Sequence, residues 1–323
     1  MTLRGAGFWP RAARAAMVVF LVIVATLLVR YARAIDWGRV LETLAEYRAG
    51  ELVMAAVLAA TSFLFYCSYD LTARRYTQHT LPTLRVMAIA FVSYVMSLNL
   101  GALIGGGGFR LRLYSHAGLS PGRIMRVAGF SVFTNWLGYA VLAGAVLAGG
   151  WLSVPADWPV TPFAMKAAGA VLVGSAVAYL VACATLHGRH LRIRGHVFHL
   201  PTLPMGVLQT VLACCNWLVI AGIPYLLLRG QIEYPVVLGV LLLSGIAAAM
   251  VHVPAGIGVL EAVFIAMLDD RLPRFEILAA LLAYRAVYYL APLLLALPMF
   301  FSLEAHYRIG RTRAARDARS PPA

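Results

Sequence analysis

Four consecutive glycines run into a basic, aromatic stretch: Gly105-Gly106-Gly107-Gly108-Phe109-Arg110-Leu111-Arg112-Leu113-Tyr114. Glycine lets the backbone approach a ligand closely, free N–H groups at a broken helix receive anions, and a guanidinium fork grips phosphate through two parallel hydrogen bonds. The spacing suggests a site for an anionic headgroup, with Arg110 as its main contact and Arg112 and Tyr114 assisting; the plain alternative is a pair of arginines anchoring a loop at the interface. A second interrupted stretch, Pro254-Ala255-Gly256-Ile257-Gly258, is followed by Glu261 among Val259, Leu260, Ala262, Val263 and Phe264. A carboxylate in such company is costly unless paired or hydrated, and intramembrane acids are functional candidates by default. Arg285, beside Tyr284 and near Tyr288 and Tyr289, is the matching base, so a Glu261–Arg285 pair is expected. Asn99 and His252 gain interest because each precedes a break. Asn135 and Asn216 read as interhelical hydrogen-bonding groups. Asp70 reads as the local i,i+4 partner of Arg74, with an inner arginine as its alternative.

The rest of the chain says what must position these residues. Of 323 residues, 62% are apolar and 12% charged, the mean hydropathy is +0.81, and the apolar residues form unbroken blocks of helical length. A soluble enzyme, a disordered tail, a secreted disulfide scaffold and a β-barrel porin are thereby excluded. What remains is an all-α polytopic membrane protein. Cys67, Cys183, Cys214 and Cys215 fall inside apolar blocks, with no disulfide framework or zinc spacing. Eight apolar segments stand at about 15–30, 51–70, 86–104, 124–149, 163–186, 205–228, 236–268 and 276–303, most near the ~20 residues a span needs. The first could pass for a signal sequence cleaved after Ala32-Arg33-Ala34, but Arg30 and Arg33 crowd that site, so it reads as a retained helix. The seventh is too long for one span and breaks at residues 254–258; the third ends in its own glycine run. In lipid the backbone opens only against protein or a wet cavity.

Arginine placement discriminates between topologies, because short cytoplasmic loops carry the excess of Lys and Arg. Eight simple crossings divide the loop cations 12 to 12, whereas letting both broken segments enter and leave on one side divides them 17 inside to 7 outside. The expected architecture is therefore about six full spans plus two re-entrant segments, one dipping from the cytoplasm around Asn99 to Arg112 and one from outside around His252 to Glu261. They would meet near the midplane as parts of two inverted halves, about 51–149 and 205–303. Such paired interruptions are the sequence pointer to a transporter's binding site. Residues 1–14 and 304–323 read as a cytoplasmic basic N-terminus and a cytoplasmic Arg-rich tail around one transmembrane domain, 15–303.

Three further segments complete the reading. Residues 33–50 set Ile35, Val40, Leu41, Leu44 and Tyr47 near one helical face, as an interfacial helix on the outer surface would. The stretch from His187 to His199 holds four histidines interspersed with Arg189, Arg192 and Arg194, which suits a basic loop on anionic lipid better than a metal cage. No Gly-x-x-x-x-Gly-Lys-Ser/Thr loop occurs, and no aromatic interleaving accompanies the basic tail. No cofactor, metal or nucleic acid is expected.

Taken together, Asn99-x-Gly101, the glycine run leading to Arg110-x-Arg112-x-Tyr114 with Gly118, then Pro254-x-Gly256-x-Gly258-x-x-Glu261, then Tyr284-Arg285-x-x-Tyr288 with Pro292, resemble the transmembrane region of the lysylphosphatidylglycerol synthase family. This is the flippase part of the bacterial multiple peptide resistance factor and its stand-alone relatives, and the likeness covers nearly the whole chain. The resemblance implies a multi-pass lipid translocator of the bacterial inner membrane, moving anionic or aminoacylated phospholipid between leaflets. The residues read above and the motifs that carry this likeness give an expected substrate-binding set of Asn99, Gly105, Gly106, Gly107, Gly108, Arg110, Arg112, Tyr114, Pro254, Gly256, Gly258, Glu261, Arg285 and Tyr288, with no catalytic residues expected. The sequence runs to Ala323 without a soluble domain for transfer from tRNA, so synthase activity is not expected with it. Two alternatives stay open: a non-catalytic membrane partner of lipid-synthesising enzymes, and a membrane enzyme acting on headgroups. Membrane phospholipids are the expected partners; a homodimer and a lipid-synthesis enzyme partner also stay open.

The arginine count makes a direct prediction. Residues 105–123 and 187–203 share the cytoplasmic side, while 150–162 and 269–275 face outward. Ser115→Cys on a Cys-free background should therefore react with a membrane-impermeant thiol reagent only from the cytoplasmic side. Labelling from outside alone would restore eight simple crossings.

Overall fold

A computed structural model describes residues 36–152, 160–186, 190–193, 196–251 and 253–317. The first apolar segment, the N-terminal arginines, His252 and residues 318–323 lie outside the described residues. Seven described helices are long and apolar enough to cross a membrane, so the chain is an all-α polytopic membrane protein.

Helix α1 (Trp37–Ala45) is capped by Asp36, whose side chain accepts from the Arg39 N–H. Its expected apolar face divides: Val40 is fully buried and Leu44 and Tyr47 pack on the core, but Leu41 is 63% exposed. The long helices follow as α2 (Ala49–Thr77), α5 (Pro121–Gly149), α6 (Pro162–Thr185) and α7 (Leu203–Leu227). Pro121, Pro162 and Pro204 stand in the first helical turn, where a missing N–H costs nothing. Small residues set how near these helices come. A Cβ added at Gly138 of α5 would lie 2.5 Å from the Ala213 backbone of α7, and one at Gly144 would lie 2.9 Å from the Gly169 carbonyl of α6. Close backbone approach of this kind drives packing where lipid offers no hydrophobic force.

Between the long helices the chain twice folds back on itself. Helix α3 (Thr83–Leu100) ends at Gly101, whose φ of +87° reverses the chain. A π-helical stretch (Ala102–Gly108) and helix α4 (Phe109–His116) return along α3, so tightly that a Cβ on Gly105 would sit 1.9 Å from the Met96 carbonyl oxygen. Only glycine fits there. Arg85 at the start of α3 and His116 at the end of α4 both meet the Tyr307 ring, so this hairpin begins and ends at one end of the bundle. The second hairpin runs from α8 (Tyr234–Val251) through a 3-10 turn (Pro254–Gly256) into α9 (Val259–Leu268), and an Arg271–Glu233 ion pair of 3.1 Å joins its two feet.

The two hairpins start from opposite ends. Tyr47, just before α2, donates to the Leu227 carbonyl at the end of α7, near the Arg229–Glu46 pair. Arg74 in the last turn of α2 donates to Thr83 at the start of α3. A 29-residue α2 separates those ends by ~44 Å. The last span is α10 (Arg274–Arg285), a π turn (Ala286–Leu290) and α11 (Ala291–Asp317). Pro292 cannot donate to the carbonyl four residues back, which is the kind of vacancy a π turn absorbs. The helix continues well past 303, where the apolar segment stops. Within the expected basic loop, His190–Ile193 and His196–His199 pair as antiparallel strands β1 and β2, His190 opposite His199.

Two glycines on one helix separate packing from propensity. Gly138→Ala should lower the melting temperature in detergent, because its Cβ strikes the α7 backbone, at a cost of about 1–3 kcal/mol. Gly129→Ala, with nothing within 4 Å of its Cβ, should leave stability equal or raise it through helix propensity.

Candidate functional site

The second break is held by one side chain. Ala255 and Gly256 take φ of +55° and +58°, and Gly258 takes +81°, so the backbone there cannot close helical hydrogen bonds. Without a side-chain donor the Ala255 and Gly256 carbonyls would be orphaned in an apolar setting, at a cost of several kcal/mol. Arg285 of α10 reaches across: Nη1 donates to the Ala255 carbonyl and Nη2 to the Gly256 carbonyl, each at 3.0 Å. The same guanidinium grips Glu261 through Nε and Nη2. Glu261 Oε2 also accepts the Gly258 N–H at 2.9 Å, capping the first turn of α9. The pair is 14% and 13% exposed. It is thus more than the ion pair expected from sequence, because it satisfies the opened chain as well.

Just before the first break, Asn99 Nδ2 donates to the Val95 carbonyl at 2.9 Å and to the Tyr289 carbonyl at 3.3 Å. The second bond ties the tip of hairpin one to the π turn of the last span. Between the tips lies a cavity of ≈ 220 Å³ bordered by Ser97 and Gly101 from the first hairpin, Ala255 and Gly256 from the second, and Tyr284 and Tyr288. The two tyrosine rings stack at 5.3 Å. The Tyr288 hydroxyl is 2.9 Å from Ser62 Oγ, which donates to Asn216 at 2.7 Å.

The family model described as the lysylphosphatidylglycerol synthase TM region matches residues 15–296. The chain belongs to this family. It is 40% identical over 311 residues to the Inner membrane protein YbhN of Escherichia coli (strain K12), covering 96% of this chain and 97% of that protein. It is 29% identical over 262 residues to the Uncharacterized protein slr0712 of Synechocystis sp., covering 80% of each. Similarity to the Phosphatidylglycerol lysyltransferase of Staphylococcus haemolyticus is 22% over 288 residues, 87% of this chain but 33% of that one. What this family member shares with the lysyltransferase is the transmembrane region.

The glycine-arginine stretch is arranged differently from its linear reading. On helix α4, residues two apart point to different faces, while residues four apart share one. Arg110 and Tyr114 accordingly turn inward together, and both reach Asp70 of α2 at 2.9 Å, where Ser131 of α5 adds a bond of 2.7 Å. Asp70 is fully buried and Arg110 is 4% exposed, with its guanidinium over the Tyr94 ring at 4.8 Å. Arg112 and His116 share the other face and bind Glu304 of α11, Arg112 through two bonds of 2.8 Å.

Two readings are corrected by this geometry. Asp70 does not pair locally with Arg74: it lies on the stripe of α2 that buries Phe63, Tyr66, Ala73 and Thr77, whereas Arg74 reaches Thr83. Arg110, Arg112 and Tyr114 do not share one face: Arg110 and Tyr114 are buried against Asp70, while Arg112 turns to Glu304. Gly105 and Gly106 serve close packing on Met96 and Ser97, and Gly107 and Gly108 are exposed. Pro254 opens the 3-10 turn. The alternative reading of Asp70, contact with an inner arginine, is the one the structure shows, with Arg110 as that arginine. The roles of Ser131 and Glu304 were missed.

The clamp predicts a specific mutational pattern. Glu261→Gln or Arg285→Gln should each destabilise the fold by about 3 kcal/mol, the cost of stranding a buried charge. In Glu261→Gln/Arg285→Gln the losses should fall short of additive, measured by thermal unfolding in detergent. Additive losses would show two independent side chains.

Proposed function

We propose that the chain is a lipid translocator that moves anionic or aminoacylated phospholipid between leaflets of the bacterial inner membrane, and acts without enzymatic chemistry of its own. One observation carries this reading: two oppositely directed fold-back hairpins bring their glycine turns together at a central cavity, beside a distorted last span. Irregular backbone at membrane depth is tolerated where it lines a cavity, and substrate sites of secondary transporters lie at such junctions. The shared feet of each hairpin support re-entrant segments in two inverted halves, about 51–149 and 205–303. The cation count then sets the end holding Arg74, His116 and Glu304 toward the cytoplasm, together with both chain termini. The printed names of the relatives, an inner membrane protein and a phosphatidylglycerol lysyltransferase, suit a membrane role linked to lipid.

In this reading the headgroup occupies the central cavity against Gly101, Gly256 and Tyr288. Arg285 and Glu261 stand behind the Ala255–Gly256 turn that lines it, and the clamp exchanges the Ala255 and Gly256 carbonyls for lipid oxygens as the path opens. The Asp70–Arg110–Tyr114 cluster positions the first hairpin instead of touching lipid.

Vesicles reconstituted with the purified chain and fluorescent phospholipid test the proposal. Wild type should expose inner-leaflet lipid to a membrane-impermeant quencher faster than protein-free vesicles. Glu261→Gln/Arg285→Gln should abolish the increase although the protein inserts and melts cooperatively. Equal rates with and without wild-type protein, across anionic and aminoacylated lipids, would overturn translocation and favour a partner role in lipid synthesis.

A further inference from the structure

A second cavity, of ≈ 620 Å³, lies where α2 ends and the chain turns into α3, against α7. It shares no lining residue with the central one. Its polar wall is Arg74 and Arg75 from the last turn of α2, Gln78, His79 and Thr80 from the turn, Thr83 from α3, and Ser68 and Thr72, whose hydroxyls are spent on carbonyls of their own helix; among the described residues no carboxylate lines it. Arg74 spends Nη1 on Thr83, whose hydroxyl hydrogen stays available, and Arg75 is exposed.

His79 is the independent observation. It is 4% exposed, yet neither ring nitrogen has a hydrogen-bond partner. Buried polar groups are nearly always paired, and leaving one unpaired costs about 1–3 kcal/mol. Burial, with Arg74 and Arg123 nearby, holds the imidazole below its ordinary range against the weaker pull of Asp70. It is then neutral at pH 7, and one nitrogen carries a hydrogen to donate. The Tyr114 ring packs edge-on at 6.1 Å and fixes the imidazole plane, while the Tyr114 hydroxyl is committed to Asp70.

A pocket with two arginines, two hydroxyls, an unpaired donor and no competing acid has the donor set of a phosphate site. We propose that this cavity is an anion site for a phosphate group, held by Arg74, Arg75 and His79 with Thr80 and Thr83 completing the shell. The proposal does not rest on the translocation reading. The same chemistry accepts the phosphodiester of a lipid headgroup or free phosphate.

The test uses the full chain in nanodiscs of phosphatidylcholine. Inorganic phosphate binding is followed by calorimetry, and retention of added phosphatidylglycerol by native mass spectrometry. At least one of the two probes should bind, and Arg75→Gln and His79→Gln should each weaken that binding about tenfold, the worth of one charge-assisted or buried hydrogen bond. Arg75→Lys should recover part of the loss, and Arg75→Gln, at an exposed position, should melt like wild type. Competition between the probes, or phosphatidylglycerol binding alone, supports the site with a lipid as its source. Phosphate binding without phosphatidylglycerol retention supports it with free phosphate as the source. Binding of neither probe, or unchanged affinity in both Arg75→Gln and His79→Gln, overturns it. Absence of lipid transport with intact binding would count against translocation alone and leave the phosphate site standing.

Discussion

An opened backbone in an apolar bundle must find partners inside the protein, and the architecture depends on how that requirement is met at the two breaks. Carbonyls that cannot bond within their own helix have no water to turn to. Arg285 supplies donors to two of them and is neutralised by Glu261, which in turn takes the N–H of Gly258. At the first hairpin the turn is closed by backbone, with the Gly105 and Gly106 N–H groups on the Gly101 carbonyl, and Asn99 ties that tip to the Tyr289 carbonyl of the last span. The second break is therefore secured by a side chain of the last span, and the first is positioned against that same span through Asn99.

The same economy governs the buried charges. Each hairpin is tied to a full span by a carboxylate–guanidinium pair, with the signs exchanged: Arg110 of the first hairpin meets Asp70 of α2, and Glu261 of the second meets Arg285 of α10. Such pairs are weak warrants for stability but strong ones for position, because removing either member strands the other. Both hairpins are thereby registered against the bundle without leaving net charge beside the central cavity. That cavity is shaped instead by glycine turns and tyrosine rings, and its cationic counterpart lies elsewhere, at the end of α2.

The last span links these parts. Its π turn sits between Arg285, which holds the second hairpin, and Pro292, and includes Tyr288 and Tyr289, which face the cavity and the first hairpin. A helix already distorted there can change its local winding at lower cost than a regular one, since its hydrogen-bond ladder is already interrupted.

The sequence by itself determined the membrane class, the number and placement of most helices, both breaks and the Glu261–Arg285 pair, because these follow from local properties: apolar length, glycine and proline runs, and the cost of isolated charge. Only the tertiary structure decided which partners the other polar residues take. Asp70 and Arg74 share a helix end, yet the orientation of α2 buries one and turns the other to Thr83, and apolar residues all round α2 conceal that orientation. Arg110 and Arg112 look like one motif in a line of letters, but the helical turn of α4 sends them to opposite faces, one into the core and one to Glu304 on a helix nearly two hundred positions away. His79 carries no sequence signal at all, since an unpaired imidazole becomes visible only when every neighbour that could have bonded it has been placed.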